Sequence, residues 1–434
     1  MAGWNTSPNV PLSITEQRIY DLNHRKALAD LIARAMGVKG RVDVELFEKA
    51  IPNVVNSYPI FRCRYNDEPV YRKFEDIELD YLDIRHMSDE HITSFLRQFS
   101  SSPMDLGADQ LIGLSLFRTG HDEYIFLVKC HHIIADGISL SKLWSEVLTG
   151  YLNLEAGKNY KPIVETMDFA DYVNFENTYL KSARGQDAKH YWRNKLALQY
   201  EDVESASNQE IASIICNEIN HNIMGEEFLQ LQADANSENT SLFVYLCAAY
   251  QQTLGEFLQH DFWMNTNLSL RLKREHRYIF GPMFRYANLR ACRDESWKEK
   301  LRRLSMEIKR AVRTVYAADA IGPHGSIGHN LNASRCYLIT FLQAKEHQEG
   351  FAGVYTGEIS NWNTLNDHLK IRTISLPTRL TPYGIYLSLA DYGGQLRASF
   401  IYNVNCFTQA QMESFVGRWH ARVICGAGGS MPPL

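Results

Sequence analysis

His131 and His132 stand side by side, and Asp136 and Gly137 follow within the same seven residues, HHIIADG. Histidine is the side chain whose ordinary pKa lies nearest neutrality, so a correctly held imidazole can take a proton from an attacking amine or hydroxyl and pass it on. Two adjacent histidines on extended backbone point to opposite faces, one towards a reaction space and the other into packing. Asp136, if folded back under the turn, needs a partner such as an arginine, because a buried carboxylate without one is costly. Gly137 then reads as a tight turn or a close backbone approach into the following segment. The same residues also fit a hydrogen-bonded structural pair or a metal site. Zinc needs further ligands at matching spacing, and nothing downstream of Cys130 supplies them, so no metal is expected.

The elements around the pair are legible. The segment from Tyr124 alternates bulky residues like a strand, and the segment after Gly137 places Ile138, Trp144 and Leu148 among polar residues like an amphipathic helix. Leu111 to Phe117 reads as a strand and Thr119 to Glu123 as a hairpin turn, so the histidines are expected at the end of a sheet strand. Loops of this kind aim side chains from a rigid scaffold.

Helices are expected at Ser13 onwards, where Ser13 and Glu16 fit a capping box, at His24 to Met36, and at Val44 to Val55 despite Pro52. Pro59 to Tyr65, PIFRCRY, reads as a strand with Arg62 and Arg64 on one side. Further helices are expected at 89–99, 166–180, 186–196, 227–232, 241–257, 297–314 and 407–422. Further strands are expected at 211–219, 262–270, 337–341, 385–390 and 395–404. The helix at 297–314 is basic, which its sequence alone explains as a solvated face. The glycine-rich stretch Gly322 to Gly328 has no lysine and no convincing strand before it, so it reads as a loop and not a phosphate cradle.

With 434 residues the chain exceeds what one growing core accommodates, and two lobes are expected, 1–198 and 199–434, joined at a polar, acidic stretch. The formal net charge is -5 and the pI about 6.3, which gives no nucleic-acid footprint. Eight cysteines, scattered without close pairing, read as reduced. The opening residues have neither a basic leader nor an apolar core, and the longest strongly apolar segment is too short to span a bilayer. A cytoplasmic protein without membrane contact is therefore expected.

HHIIADG resembles the HHxxxDG signature of nonribosomal peptide synthetase condensation domains, within the chloramphenicol-acetyltransferase-like superfamily. The resemblance extends to LSITEQRIY at Leu12 to Tyr20, Val38 to Tyr65, SSPMDL at Ser101 to Leu106, Met167 to Leu196, FGPMFRYANLR at Phe280 to Arg290, Asn332 to Gln343, and Tyr386 to Phe407. It implies an α/β (α+β) fold of two acetyltransferase-like lobes in a V, each a mixed sheet flanked by helices. It further implies condensation of a phosphopantetheine-tethered acyl thioester with an amine or hydroxyl acceptor, giving an amide or ester in natural-product biosynthesis.

On this resemblance His132 is the active histidine, orienting or deprotonating the acceptor. His131 supports it, Asp136 is a structural acid paired with Arg62, and Gly137 backs the wall near the reacting centre. No cofactor is expected to be bound permanently, the phosphopantetheine arm arriving on the substrate. The partners implied are an acyl or peptidyl carrier protein and a small amine or alcohol acceptor, free or carrier-bound, with the chain itself a monomer. The chain departs from the family where Arg285, a possible tunnel or floor residue, replaces the usual asparagine, and at YPIFR (Tyr58 to Arg62) and TPYGI (Thr381 to Ile385). Without adenylation, carrier or thioesterase regions it reads as a free-standing enzyme or an excised domain. The alternatives are an acyl-coenzyme A-dependent acyltransferase, an epimerisation domain, and a non-catalytic recruitment module.

Overall fold

A computed structural model describes residues 11–24, 31–65, 71–72, 77–107, 110–162, 167–203, 215–318, 337–343, 363–374, 376 and 383–425. In chain order these form α1 (Ile14–His24), β1 (Leu31–Lys39), α2 (Val44–Val55), β2 (Arg64–Tyr65), β3 (Tyr71–Arg72), β4 (Leu79–Asp83), α3 (Asp89–Ser101), β5 (Ile112–Arg118), β6 (Glu123–His131), α4 (Gly137–Glu155), α5 (Phe169–Lys181) and α6 (Ala183–Val203). There follow β7 (Cys216–Met224), α7 (Gly225–Ser237), α8 (Leu242–Leu258), β8 (Phe262–Ser269), β9 (Phe284–Ala291), α9 (Trp297–Arg313), β10 (Tyr337–Gln343), β11 (Asn363–Thr364), β12 (Lys370–Ile374), β13 (Ile385–Asp391), β14 (Gln395–Asn403) and α10 (Gln409–Cys425). Each main sheet has helices packed on it, which is the mixed α/β class expected.

The chain divides into two compact units, and neither is a continuous half. The first comprises residues 1–179, 269–284 and 347–376; the second comprises 180–268, 285–346 and 377–434. A single cut at 198/199 therefore differs from the structure, in which two later segments belong with the N-terminal region.

The first unit is built on a six-stranded sheet of order β11-β12-β1-β6-β5-β4. β6 is central, antiparallel to β1 on one side and β5 on the other, with Leu31 opposite His131. Its residues from Tyr124 to His131 are all buried, so both faces of the strand are covered and the alternation in the sequence is not an inside–outside pattern. The stretch LIARAMGVK forms β1 and not a helix, and residues 25–30 of the expected helix lie outside the described residues. Ala, Leu and Met favour helix locally, but pairing along nine positions of β6 overrides that preference. Pro52 stays inside α2, whose Phe47, Ala50, Ile51, Val54 and Val55 are buried. PIFR is a short 3-10 helix with Pro59 in its first turn; only Arg64 and Tyr65 of the expected strand pair, with Arg72 and Tyr71.

The second unit has a six-stranded sheet of order β7-β14-β13-β10-β8-β9. β10 is parallel to both β13 and β8, and β14 is antiparallel to β13 and β7. Its core gathers Tyr245, Leu246 and Tyr250 of α8, Leu301 and Leu304 of α9, and Phe415 and Trp419 of α10 over the strands. The glycine-rich stretch at 322–328 and most of the acidic stretch at 199–209 lie outside the described residues. No helix among the described residues is long and apolar enough to cross a membrane.

Candidate functional site

The chain leaves β6 at His131, turns through His132 to Ala135, and enters α4 at Gly137. α4 forms because Leu140, Leu143, Trp144, Val147, Leu148 and Tyr151 recur at helical spacing and are buried. It is capped by Asp136, whose carboxylate accepts the Ser139 backbone N–H at 2.8 Å. The acid that the sequence offered as an ion-pair partner is thus also the residue that satisfies an orphan donor of the helix.

The two histidines differ in exposure, His131 ending β6 and His132 lying in the turn that follows. His131 is 1% exposed and its Nδ1 accepts the Ile133 N–H at 3.2 Å, while its own backbone N–H donates to the Leu111 carbonyl at 2.8 Å. His132 is half-buried, with its ring edge-on to Phe284 at 5.7 Å between centroids. Phe284 is itself held: Thr15 donates its hydroxyl to the Phe284 carbonyl at 2.9 Å, and the Arg18 guanidinium lies 5.6 Å from its ring. The His132 Nδ1 lies 3.1 Å from the Ala135 carbonyl oxygen. A carbonyl only accepts, so this contact assigns the proton of a neutral ring to Nδ1 and leaves Nε2 with its lone pair.

Asp136 is paired by Arg271, not by Arg62. The guanidinium grips the carboxylate with both arms, Nη1 to Oδ2 at 2.6 Å and Nη2 to Oδ1 at 3.1 Å. It also donates to the Ser139 hydroxyl at 2.9 Å and to the Ile279 carbonyl at 3.0 Å, and the Met283 N–H reaches Asp136 at 3.2 Å. Burial pushes the Asp136 carboxyl up, but the charge and hydrogen bonds of Arg271, with those of Ser139, more than offset it and hold the group below the usual aspartate range. Arg62 ends the short 3-10 helix and donates to the Asn56 carbonyl at 3.2 Å, so it ties that turn back to the C-terminal end of α2. The expected Asp136–Arg62 pair fails because PIFR is not a strand and therefore does not carry its arginine inward along a sheet.

Gly137 is the second correction. A Cβ there meets nothing closer than Arg34 Nη2 at 3.6 Å, an ordinary contact, and the residue is the first of a regular helix. Beside this turn it is Gly281 whose backbone excludes a side chain, at φ +147° with an added Cβ only 2.3 Å from Phe169 Cδ2. Its N–H donates to the Ser139 hydroxyl at 3.1 Å and its carbonyl accepts from that hydroxyl at 3.0 Å. Arg285 lies on β9 with none of its surface exposed.

Arg271, Ser139 and Gly281 were missed by sequence reasoning. Arg271 sits in RLKREHR, where charge composition reads as a turn and nothing distinguishes one arginine from its neighbours. Alternation gives no signal either: Leu268 and Leu270 are the buried positions at the end of β8, and a period of two places the next residue on the other face. Among the described residues no three His, Cys, Asp or Glu side chains converge as a metal site.

In the first of the two α/β units a sheet strand delivers a histidine pair to a capped helix. The Condensation domain family model matches residues 10–425, and the chain belongs to that family. It is 26% identical over 283 residues to gramicidin S synthase 2 of Aneurinibacillus migulanus, covering 62% of this chain and 6% of the relative. To tyrocidine synthase 3 of Brevibacillus parabrevis it is 24% identical over 299 residues, covering 67% of this chain and 4% of the relative. The chain thus spans a small fraction of the length of these synthetases. Among solved structures, the first condensation domain of the calcium-dependent antibiotic synthetase superposes with a TM-score of 0.75 at 13% identity, covering 97% of both chains. The X-domain from teicoplanin biosynthesis superposes at 0.77 and 16% identity, covering 99% of this chain and 97% of that one.

Proposed function

We propose that this chain joins an acyl group carried as a phosphopantetheine thioester to an amine or hydroxyl acceptor, with His132 as the catalytic residue. The observation that carries the reading is the bond from His132 Nδ1 to the Ala135 carbonyl, which presents Nε2 as an acceptor on a half-buried ring. For an amine, the nitrogen attacks the thioester carbonyl and gives up a proton to His132 Nε2. The C–N bond forms, the C–S bond breaks, and the proton passes to the departing phosphopantetheine sulfur. The imidazole ends neutral, ready for another cycle. The phosphopantetheine arm belongs to the substrate, so the chain needs no resident cofactor for this step. Orientation of the acceptor nitrogen by the same ring lowers the entropic part of the barrier.

The buried Asp136–Arg271–Ser139 network holds the turn, and so acts on the reaction only through the position of His132. The partner that brings the acyl group is a carrier protein or domain. Mass spectrometry of reactions pairing acyl-carrier thioesters with free or carrier-bound amines and alcohols tests the assignment. The product is expected with wild type and to fall at least about 100-fold in His132→Ala at unchanged melting temperature. Turnover that survives His132→Ala sinks the role of the imidazole. A donor preference for acyl-coenzyme A over acyl-carrier shifts the reading to a soluble acyltransferase. Binding of another protein without turnover favours a recruitment module.

A further inference from the structure

α9 buries Leu301, Leu304 and Ala311 and turns Lys298, Arg302, Met306, Lys309 and Arg313 outward. At ~100° per residue these five fall within an arc of ~80°, a stripe ~22 Å long at ~1.5 Å rise per residue. Met306 lies midway along its length and at one edge of the arc, 58% exposed. Arg310 flanks it, its guanidinium over the Tyr191 ring of α6 at 4.8 Å. Lys298, Arg302, Lys309 and Arg313 have no hydrogen-bond or ion-pair partner among the described residues.

The acids nearby are committed elsewhere. Glu295 takes Arg303 at 2.8 Å and Lys300 at 3.7 Å; Glu307 takes Lys195 at 2.6 Å and Arg303 at 3.1 Å. Glu299 accepts the Ser296 N–H at 3.0 Å in the capping box. Asp294 is exposed but lies in the turn before the helix begins. The stripe is therefore a local cationic surface on a chain whose formal net charge is -5.

Fold stability accounts for only half of it. Arg310 and Arg313 at the C-terminal end complement the helix dipole, but Lys298 and Arg302 sit near its positive end, and like charges four residues apart repel. A membrane surface needs a broad apolar face to insert, and this stripe offers a single methionine. Nucleic acid suits a chain far more basic than one of pI about 6.3. What matches a narrow, straight, cationic stripe with one apolar residue midway along it is a helix of another protein bearing acids on both sides of an apolar side chain. We infer that the exposed face of α9 docks an acidic helix of the carrier domain that delivers the thioester. This deepens the proposed function and rests on it for the identity of the partner.

The test measures fluorescence anisotropy of a labelled, phosphopantetheinylated carrier domain against the wild-type chain and the charge-reversed Lys298→Glu/Arg302→Glu/Lys309→Glu variant. The affinity is expected to fall at least about 10-fold in the variant and with rising salt, and Met306→Ala to weaken binding without altering the salt slope. A carrier whose surface acids are converted to amides is expected to lose the same contribution. In turnover assays, the variant is expected to raise KM for the carrier-bound substrate while leaving the pantetheine thioester of the same acyl group unaffected. Equal binding by variant and wild type, or equal binding of the amidated carrier, overturns the docking assignment. So does retention by anionic phosphatidylserine vesicles or a DNA oligonucleotide where the carrier fails to bind. Because anisotropy needs no chemistry, a wild type that binds the carrier through this face but turns over no thioester overturns the proposed reaction and supports the docking face.

Discussion

At the scale of single residues, the structure shows what holds His131, His132 and Asp136 of HHIIADG in place. His131 closes the strand from inside and His132 is tethered by a carbonyl three residues on. What composition could not reveal was the identity of the cation beneath them, since Arg271 is 135 positions from Asp136 and only the fold unites them. Breaking a buried pair from one side leaves an uncompensated charge, a loss of about 3 to 5 kcal/mol. Arg271→Met is expected to lower the melting temperature far more than Arg62→Met, and the double substitution Asp136→Asn/Arg271→Met to recover part of the loss. Asp136 also carries a pH signature. Its folded pKa lies below the unfolded value, so its stabilisation is present above about pH 4 and is lost as pH falls through the depressed folded value. Melting curves from pH 7 to 2.5 are expected to fall more steeply at the acid end in wild type than in Asp136→Asn. Parallel acid limbs would contradict this.

The two glycines separate function from folding at the same scale. Gly281→Ala forces a Cβ into the Phe169 ring on a backbone that side chains rarely adopt, and a clear loss of thermal stability is expected. Gly137→Ala adds a methyl group to an open position at a helix start and is expected to leave melting unchanged or slightly raised. A drop in turnover without a drop in stability in Gly137→Ala then locates that methyl against the substrate.

At the scale of elements, periodicity located most helices and strands because their burial follows one face. α4 and α9 are examples, and both have side-chain caps, Asp136 and Ser296. It failed where pairing outweighs propensity: LIARAMGVK contains good helix formers, yet its register with β6 and β12 makes it a strand. PIFR failed for the opposite reason, since Pro59 suits a helical first turn better than a ladder position. Ser296 offers an element-scale check. The box unites Ser296 and Glu299 through both backbone N–H groups, and Ser296→Ala is expected to weaken α9 by about 1 kcal/mol. Hydrogen exchange should accelerate in the first turns of α9 while α8 and α10 keep their protection. Uniform acceleration across all three helices would instead mean that the cap supports the whole unit.

At the scale of the whole molecule, composition and length gave the number of compact units but not their membership, because a boundary read along the chain assumes each unit is continuous. The first unit takes back residues 269–284 and 347–376. Those segments supply Arg271 beneath Asp136, the Gly281 turn on Ser139, and strands β11 and β12. β12 pairs with β1 from Ala35 to Lys39, so without it the buried middle of β1 becomes an open edge. A fragment ending at residue 198 therefore retains the signature HHIIADG while losing its cation, its turn and one flank of its sheet. Such a fragment is expected to be aggregation-prone and to lack a cooperative thermal transition and near-ultraviolet circular dichroism, even if helices persist in the far ultraviolet. A fragment that melts cooperatively would show that the N-terminal region folds alone, with the later segments docking afterwards. In that event Asp136 must either be neutral in the fragment or find another cation. Its acid limb separates these two cases: a neutral Asp136 has its pKa raised, and the fragment gains stability as pH falls towards 4, whereas a re-paired one keeps the wild-type sign.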